Sequence, residues 1–373
     1  MKRPLPEIAS LKVGLFPFGG KLNPYTTLIG QCLDHAGVKW EPIQDTKVFP
    51  IRRAVGHPID VLQMYWPGNL YHSSTRLGTW AKRIMFADGL RCLRKLTFVY
   101  SVENLLPHDS ANESLDKAFV QRIVDHVDGL IVMSEASKRI FAETYRVPSH
   151  VVWGHIPHCN YVEWYPNKVS REEARVRLGL EPGQRVLLSL GRIAGYKGLS
   201  NLIEAFAEAD VPRSVLVVAG RPQSPAALAE VERAVKEVTR GKDCQVRLVP
   251  QFVPDDELQV FFNAADAAAL AYSDVPMNPG SVVLAMSFGS CVWAPAKGAT
   301  PELVGQRAYF GYVEGDRAGM VRSLRDMLSQ DDLQGRGREA LERARLNHGK
   351  DHVARRFADF YGQLKDRSRR GKA

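Results

Sequence analysis

The chain has 373 residues and a mass of 41.6 kDa, roughly two to three times the size of a usual single domain, so two domains are the first expectation. Hydrophobic residues at 45% and charged residues at 24% are ordinary for a soluble globular protein, and they exclude wholesale disorder, a collagen-like repeat and a small disulfide scaffold. Fifty Lys and Arg against 41 Asp and Glu leave a net +9, which calls for a partner bearing phosphates: a nucleotide, a nucleic acid or an anionic lipid surface.

The five cysteines (Cys32, Cys92, Cys159, Cys244 and Cys291) are scattered and form no CxxC pair, as expected of reduced thiols in the cytoplasm. Residues 1–17 carry Lys2, Arg3, Glu7 and Lys12 without an apolar core long enough for export. Short apolar, β-branched runs at 13–16, 61–64, 97–102, 130–133 and 151–155 read as buried strands, with helical patterns at 25–36, 114–127 and 135–145 between them. Such alternation predicts a parallel sheet covered on both faces. The pattern breaks at 161–184, where Pro166, Pro182 and Gly183 flank a charged segment. It restarts with strands at 186–190, 215–219, 246–249, 267–270 and 291–294. Leu199, Leu202, Ile203 and Phe206 fall at i, i+3, i+4 and i+7, one buried helical stripe. Phe261 and Phe262 read as core. The uncharged stretch 275–296 contains Pro276, Pro279, Gly280, Gly289 and Pro295, a density of breakers that no membrane-spanning helix would carry. From Arg317 onward the chain reads as helical, ending in a basic tail at 365–372.

Two tandem Rossmann-like α/β domains are therefore expected: 1–165, then 166–350, with a final helix at 351–373 crossing back to the first domain. In open α/β sheets ligands bind outside the carboxyl ends of the strands, so a cleft between the domains is the expected site.

Three loops carry candidate chemistry. After the first strand, Gly19 and Gly20 permit close backbone approach to a ligand, and Asn23-Pro24 suits a helix start; a plain tight turn is the equal alternative. The segment Gly191-Arg192-Ile193-Ala194-Gly195-Tyr196-Lys197-Gly198 sets one fork-shaped and one point cation among glycines between a strand and a helix, a combination suited to a pyrophosphate. Asn278, Gly280 and Ser281 precede an apolar helix whose free N–H groups and dipole favour an anion, with an ordinary N-cap as the equal alternative. His155, His158 and Cys159 are metal-ligating types without a fourth ligand nearby, and no Asp-x-Asp occurs, so no metal and no cofactor is expected.

Together with Val218-Ala219-Gly220, Asp266, Ala285-Met286-Ser287-Phe288-Gly289 and Gly298-Ala299-Thr300-Pro301-Glu302, these cations and glycines resemble GT-B glycosyltransferases of the family 4 type. Asn23-Pro24-Tyr25, Tyr65-Trp66-Pro67, Asn104-Leu105-Leu106-Pro107-His108, Ile156-Pro157-His158 and Tyr165-Pro166-Asn167 are similar to a bacterial exopolysaccharide group, family 94, which includes the xanthan-type β-mannosyltransferases. The likeness spans about residues 12–305. It implies GT-B architecture and transfer of a hexose, mannose in the first place, from a nucleotide-diphosphate sugar such as GDP-mannose to a glycan or polyprenyl-diphosphate-linked acceptor. Donor contacts are expected from Gly19, Gly20, Arg192, Lys197, Asn278, Gly280, Ser281 and Glu302, and acceptor contacts from Asn23, Tyr25, Trp66 and His158. Two departures bear on mechanism. Pro276 and Leu284 stand where family 4 enzymes carry two glutamates, and Glu103 stands where the relatives often carry His. Retention or inversion stays open, and the candidate bases are Glu103, His108 and Asp109. A non-catalytic nucleotide- or sugar-binding protein of the same fold is the alternative. A nucleic-acid reader is disfavoured, because basic residues occur in both halves without a recognised reading motif. Residues 80–96 mix cations with Trp80, Ile84 and Phe86, which suits either an ordinary amphipathic helix packed on the sheet or a peripheral dock on the inner face of the cell membrane.

Overall fold

The strands form where apolar residues run without interruption, as sheets buried on both faces require. The structure, a computed structural model, describes residues 10–19, 24–71, 73, 75–106, 112–238, 245–273, 277 and 279–370. The chain divides into two units, one made of Met1–Cys159 with His348–Ala373, the other of Asn160–Asn347.

In the first unit β1 (Lys12–Phe16), β2 (Lys39–Pro42), β3 (Val61–Met64), β4 (Thr97–Ser101), β5 (Gly129–Val132) and β6 (Val152–His155) form a parallel sheet in the order β2-β1-β3-β4-β5-β6. The helices between them are α1 (Tyr25–His35), α2 (Pro50–Val55), α3 (Arg76–Leu93), α4 (Glu113–Val124) and α5 (Glu135–Thr144). Thr75, Asn112 and Ser134 cap α3, α4 and α5 by accepting from backbone N–H groups three residues on, satisfying donors that a helix start leaves open.

The second unit runs α6 (Arg171–Arg177), β7 (Arg185–Leu190), α7 (Leu199–Ala209), β8 (Ser214–Ala219), α8 (Pro225–Val238), β9 (Gln245–Val249), α9 (Leu258–Ala264), β10 (Ala267–Ala269), α10 (Gly280–Ser287), β11 (Cys291–Pro295), α11 (Thr300–Val304), β12 (Tyr309–Tyr312), α12 (Arg317–Leu328) and α13 (Leu333–His348). Its parallel sheet has the order β12-β11-β10-β7-β8-β9. The expected stripe Leu199, Leu202, Ile203 and Phe206 is buried against this sheet's core.

The last helix, α14 (Lys350–Arg370), belongs to the first unit. Phe360 fills the room left by Gly129 and Gly154, where an added β-carbon would come within 2.7 Å of the ring. The Tyr361 hydroxyl donates to Gln63 Oε1, and Gln63 Nε2 donates to Tyr65 at 2.6 Å and to Ser101 at 3.0 Å. All four side chains are buried, so the helix is held by a satisfied polar network as well as by apolar contact.

Candidate active site

Each sheet has one place where strand order reverses, and the crevice outside the carboxyl ends there is where open α/β sheets take ligands. In the second unit the reversal lies between β7 and β10. The loop after β7 begins at Gly191, whose φ of 134° suits glycine, and passes through Arg192 and Lys197 to Gly198 at φ 60°. An added β-carbon at Gly198 would stand 2.2 Å from the Ala271 carbonyl oxygen, so this loop is pressed against the segment after β10. There the Lys197 ammonium lies 3.1 Å from the Tyr272 hydroxyl and 4.5 Å from its ring centroid, with Tyr196 and Tyr272 nearly parallel at 6.4 Å. Burial works against the lysine's charge, but the two tyrosines outweigh it and hold the pKa above the ordinary lysine value. Lys197 is thus a fixed, half-buried cation; Arg192 is exposed beside it.

Further bonds tie neighbouring loops to this point. Ser273 donates its N–H to the Tyr196 carbonyl at 3.0 Å, and Lys297, after β11, reaches the Ser273 carbonyl at 2.8 Å. Within α10 the bonding starts with Val282 N–H to the Pro279 carbonyl at 2.9 Å, leaving the N–H groups of Gly280 and Ser281 at the helix start, which no side chain caps among the described residues. Glu302 sits exposed in the first turn of α11, its carbonyl accepting from Arg343 at 2.9 Å. Asp266 is a structural anchor: it accepts from Arg171 at 2.6 Å and from the Val186 N–H at 2.7 Å, joining α6 to β7.

In the first unit the reversal lies between β1 and β3. Gly19 follows β1, and its N–H is already spent on Thr26 Oγ1 at 2.9 Å. Tyr25 packs on Tyr65 at 5.8 Å, Trp66 at 6.0 Å and His158 at 4.8 Å, so three of the four expected acceptor residues share one aromatic cluster at the switch point. His158 is buried; its Nδ1 meets the Cys159 carbonyl at 2.7 Å, and burial above all pushes its pKa down to about 4. The ring is neutral at pH 7 and serves to seat Tyr25. Trp66, half-buried with φ 39°, faces a cavity of about 140 Å³ that Tyr71, Tyr100, Glu103 and Leu105 also line. Glu103 stands just beyond β4, and its charge adds to the burial that raises the pKa of Tyr65. Glu103 and Trp66 are therefore brought together, and through Tyr65 they join the network that Tyr361 closes. Gly20, Asn23, His108, Asp109 and Asn278 lie outside the described residues.

Sequence reasoning missed Tyr272, Tyr196, Gln63 and Tyr361. The signal for Tyr272 was its place two residues beyond an apolar strand; Gln63 and Tyr361 carry none, being 298 residues apart. Among the described residues no cluster of His, Cys, Asp or Glu could cage a metal ion.

Two parallel six-stranded sheets of this topology, each with its polar groups at the switch point, define the GT-B class of glycosyltransferase. Residues 170–343 match the family Glycosyl transferases group 1; the second unit is a domain of that kind, and the protein is a glycosyltransferase. The chain is similar to the GDP-mannose:glycolipid 4-beta-D-mannosyltransferase of Xanthomonas campestris pv. campestris, with 27% identity over 315 residues, 82% of this chain and 80% of that one. It is also similar to the D-inositol 3-phosphate glycosyltransferase of Corynebacterium efficiens, 29% identical over 60% of this chain and 54% of the other. Among solved structures, Anabaena HepE in complex with UDP and glucose superposes with a TM-score of 0.74 at 14% identity, over 95% of this chain and 100% of that one. Sucrose-phosphate synthase from Thermosynechococcus elongatus superposes with a TM-score of 0.71 at 16% identity, over 95% and 99%. The resemblance read from the motifs is borne out at the level of fold and enzyme class.

Proposed function

We propose that the protein transfers a mannosyl group from GDP-mannose to a lipid-linked glycan acceptor during exopolysaccharide assembly, at the cytoplasmic face of a membrane. The observation that carries this reading is the seating of Lys197 on Tyr272 at the switch point of the second unit, with Arg192 beside it. The donor's anomeric carbon–oxygen bond breaks, the nucleoside diphosphate leaves with the bonding pair, and the acceptor hydroxyl oxygen forms the new bond. Two cations and the α10 start would balance the departing charge without a metal, and Lys197, already seated on Tyr272, needs no reorganisation as charge develops. The acceptor's proton passes to Glu103, beside Trp66 in the first unit's cavity. Pro276 and Leu284 at the positions of the two family 4 glutamates favour this single displacement. The choice of mannose and of a glycolipid acceptor is supported by the Xanthomonas relative, whose name states both.

Thermal-shift titration with GDP, UDP and ADP, followed by turnover of the matching nucleotide sugar, tests the reading. A ligand at a hundred times its dissociation constant adds about 2.7 kcal/mol of stability, enough to raise the melting temperature by several degrees. Stabilisation by GDP together with release of GDP from GDP-mannose is expected. A shift with UDP or ADP alone would overturn the donor assignment.

A further inference from the structure

The chain's excess positive charge is not evenly placed. Residues 47–95 hold nine Lys and Arg against Asp60 and Asp88, a net +7 within a chain whose total is +9. An equal excess, twelve Lys and Arg against five Asp and Glu, lies in residues 336–372, so charge alone does not single out the 47–95 segment. It includes α2 and α3, which pack together in the first unit.

The buried face of α3 is conventional: Phe86, Leu90 and Leu93, at i, i+4 and i+7, lie in the core. The opposite face is not. Leu77, Trp80 and Ile84 are 76%, 63% and 48% exposed and fall at i, i+3 and i+7, one stripe along the helix. Continuing that stripe, Arg91 and then Lys95 are exposed cations. The acidic residue nearest the stripe, Asp88, is paired with Arg52 of α2 at 3.4 Å. Beside α2, Val48 is exposed next to the exposed Lys47. An apolar stripe left half to three-quarters exposed gains little for folding, and water opposes it.

We propose that this face docks the protein on an anionic lipid bilayer, with Trp80, Leu77 and Ile84 inserted at the headgroup level and Arg91, Arg94, Lys95, Lys47 and Arg53 around them on lipid phosphates. Charge complementarity selects this occupant: an apolar stripe ringed by cations and nearly without acids fits a surface that is apolar within and anionic at its rim. An apolar groove on another protein would not require the +7. Among the described residues no helix is long and apolar enough to cross a membrane.

The dock also abuts the cavity of the first unit. On its inner side α3 places Phe86 5.8 Å from Tyr71, and Arg83 over Phe119, which stacks on Tyr71 at 4.4 Å. Tyr71 lines the same cavity as Glu103 and Trp66. One helix thus has a membrane-seeking outer face and an inner face that forms the support of the cavity wall, which would bring a lipid-borne acceptor beside the proposed base. The docking surface itself does not depend on the roles given to Glu103 or to the donor.

Flotation of the full chain with phosphatidylcholine vesicles, with and without about 30 mol % phosphatidylglycerol, tests the dock at low and high salt. Recovery with the anionic vesicles only, lost at high salt, is expected. A Leu77→Ser/Trp80→Ser/Ile84→Ser variant and an Arg91→Glu/Arg94→Glu/Lys95→Glu variant should each bind those vesicles at least about tenfold more weakly. Both should keep the native melting temperature, because the altered side chains are exposed. Blue-shifted Trp80 fluorescence on vesicle addition, read as the difference from Trp80→Phe, should accompany binding. Equal recovery with neutral vesicles, native-like binding by either variant, or binding to duplex DNA in place of vesicles would overturn the proposal. Nucleoside-diphosphate affinity, measured without vesicles, separates failure of the dock from failure of the donor site.

Discussion

A β-carbon built on Gly220 would stand 1.8 Å from the carbonyl oxygen of Gly191. The two glycines directly follow the adjacent strands β8 and β7, and the backbones meet at a distance that only glycine at 220 permits. Gly220 also holds a φ of 149°. The close approach lets Gly191 N–H reach the Ala219 carbonyl at 2.9 Å and sets the start of the loop that carries Arg192 and Lys197. Gly220→Ala must move backbone against backbone and should cost about 3 kcal/mol or more. Chemical denaturation of the variant checks this; native stability would mean that the strand ends part without resistance.

Arg192→Ala and Lys197→Ala should each weaken nucleoside-diphosphate binding by about 30- to 1000-fold, the usual effect of removing one charge-assisted contact from a preorganised site. Arg192→Lys should restore little, since a point charge does not reproduce the fork. Tyr272→Phe keeps the ring beneath Lys197 and removes the bond at 3.1 Å, so a loss of about tenfold or less is expected. The Lys197 pKa is raised, so its charge is complete at pH 7 to 9 and is lost only as pH climbs past the ordinary lysine value of 10.5. Calorimetry should therefore find affinity flat over that range.

Glu103→Gln preserves size and removes the proposed proton acceptor. Turnover should fall by about 100- to 10,000-fold while nucleoside-diphosphate affinity stays native, because donor groups and base lie in different units. Steady-state kinetics beside calorimetry gives both numbers. Native turnover would move the base to another residue.

His158 gives the first unit an acid-sensitive element. The folded state keeps the ring neutral down to about pH 4, whereas in the unfolded chain it takes a proton near 6.5. Its contribution is thus fully present above pH 6.5 and is lost as pH falls from there towards 4, a change on the order of 3 kcal/mol. Comparing denaturation at pH 7 and pH 4.5 should show a smaller loss in His158→Gln than in the native chain.

The central strands were legible because each is a largely apolar run of three to six residues in a sheet covered on both faces. The edges were not. In β2, Lys39-Trp40-Glu41-Pro42 contains no buried residue, and in β12 only Tyr312 is buried, so neither has a periodicity to read; pairing with β1 and β11 makes them strands. The candidate site divides in the same way. Arg192 and Lys197 announce themselves within one glycine-punctuated loop. Tyr272, which orients Lys197, lies 75 residues away and acts only because β10 returns beside β7. Likewise the core-facing apolar residues of α3 could be read from their period, but whether Leu77 and Trp80 were covered could not, since burial belongs to the folded surface.

Because α14 belongs to the first unit, that unit is discontinuous along the chain while the second, Asn160–Asn347, is a single stretch. On the ribosome, β1 to β6 emerge first, yet the ring of Phe360 and the hydroxyl of Tyr361 do not yet exist. The grooves at Gly129 and Gly154 and the acceptor on Gln63 remain open while the whole second unit is synthesised. At ordinary translation rates that interval is about 10 to 40 s. The later-made half can close first, and the earlier-made half is left as a client for chaperones until its last helix arrives.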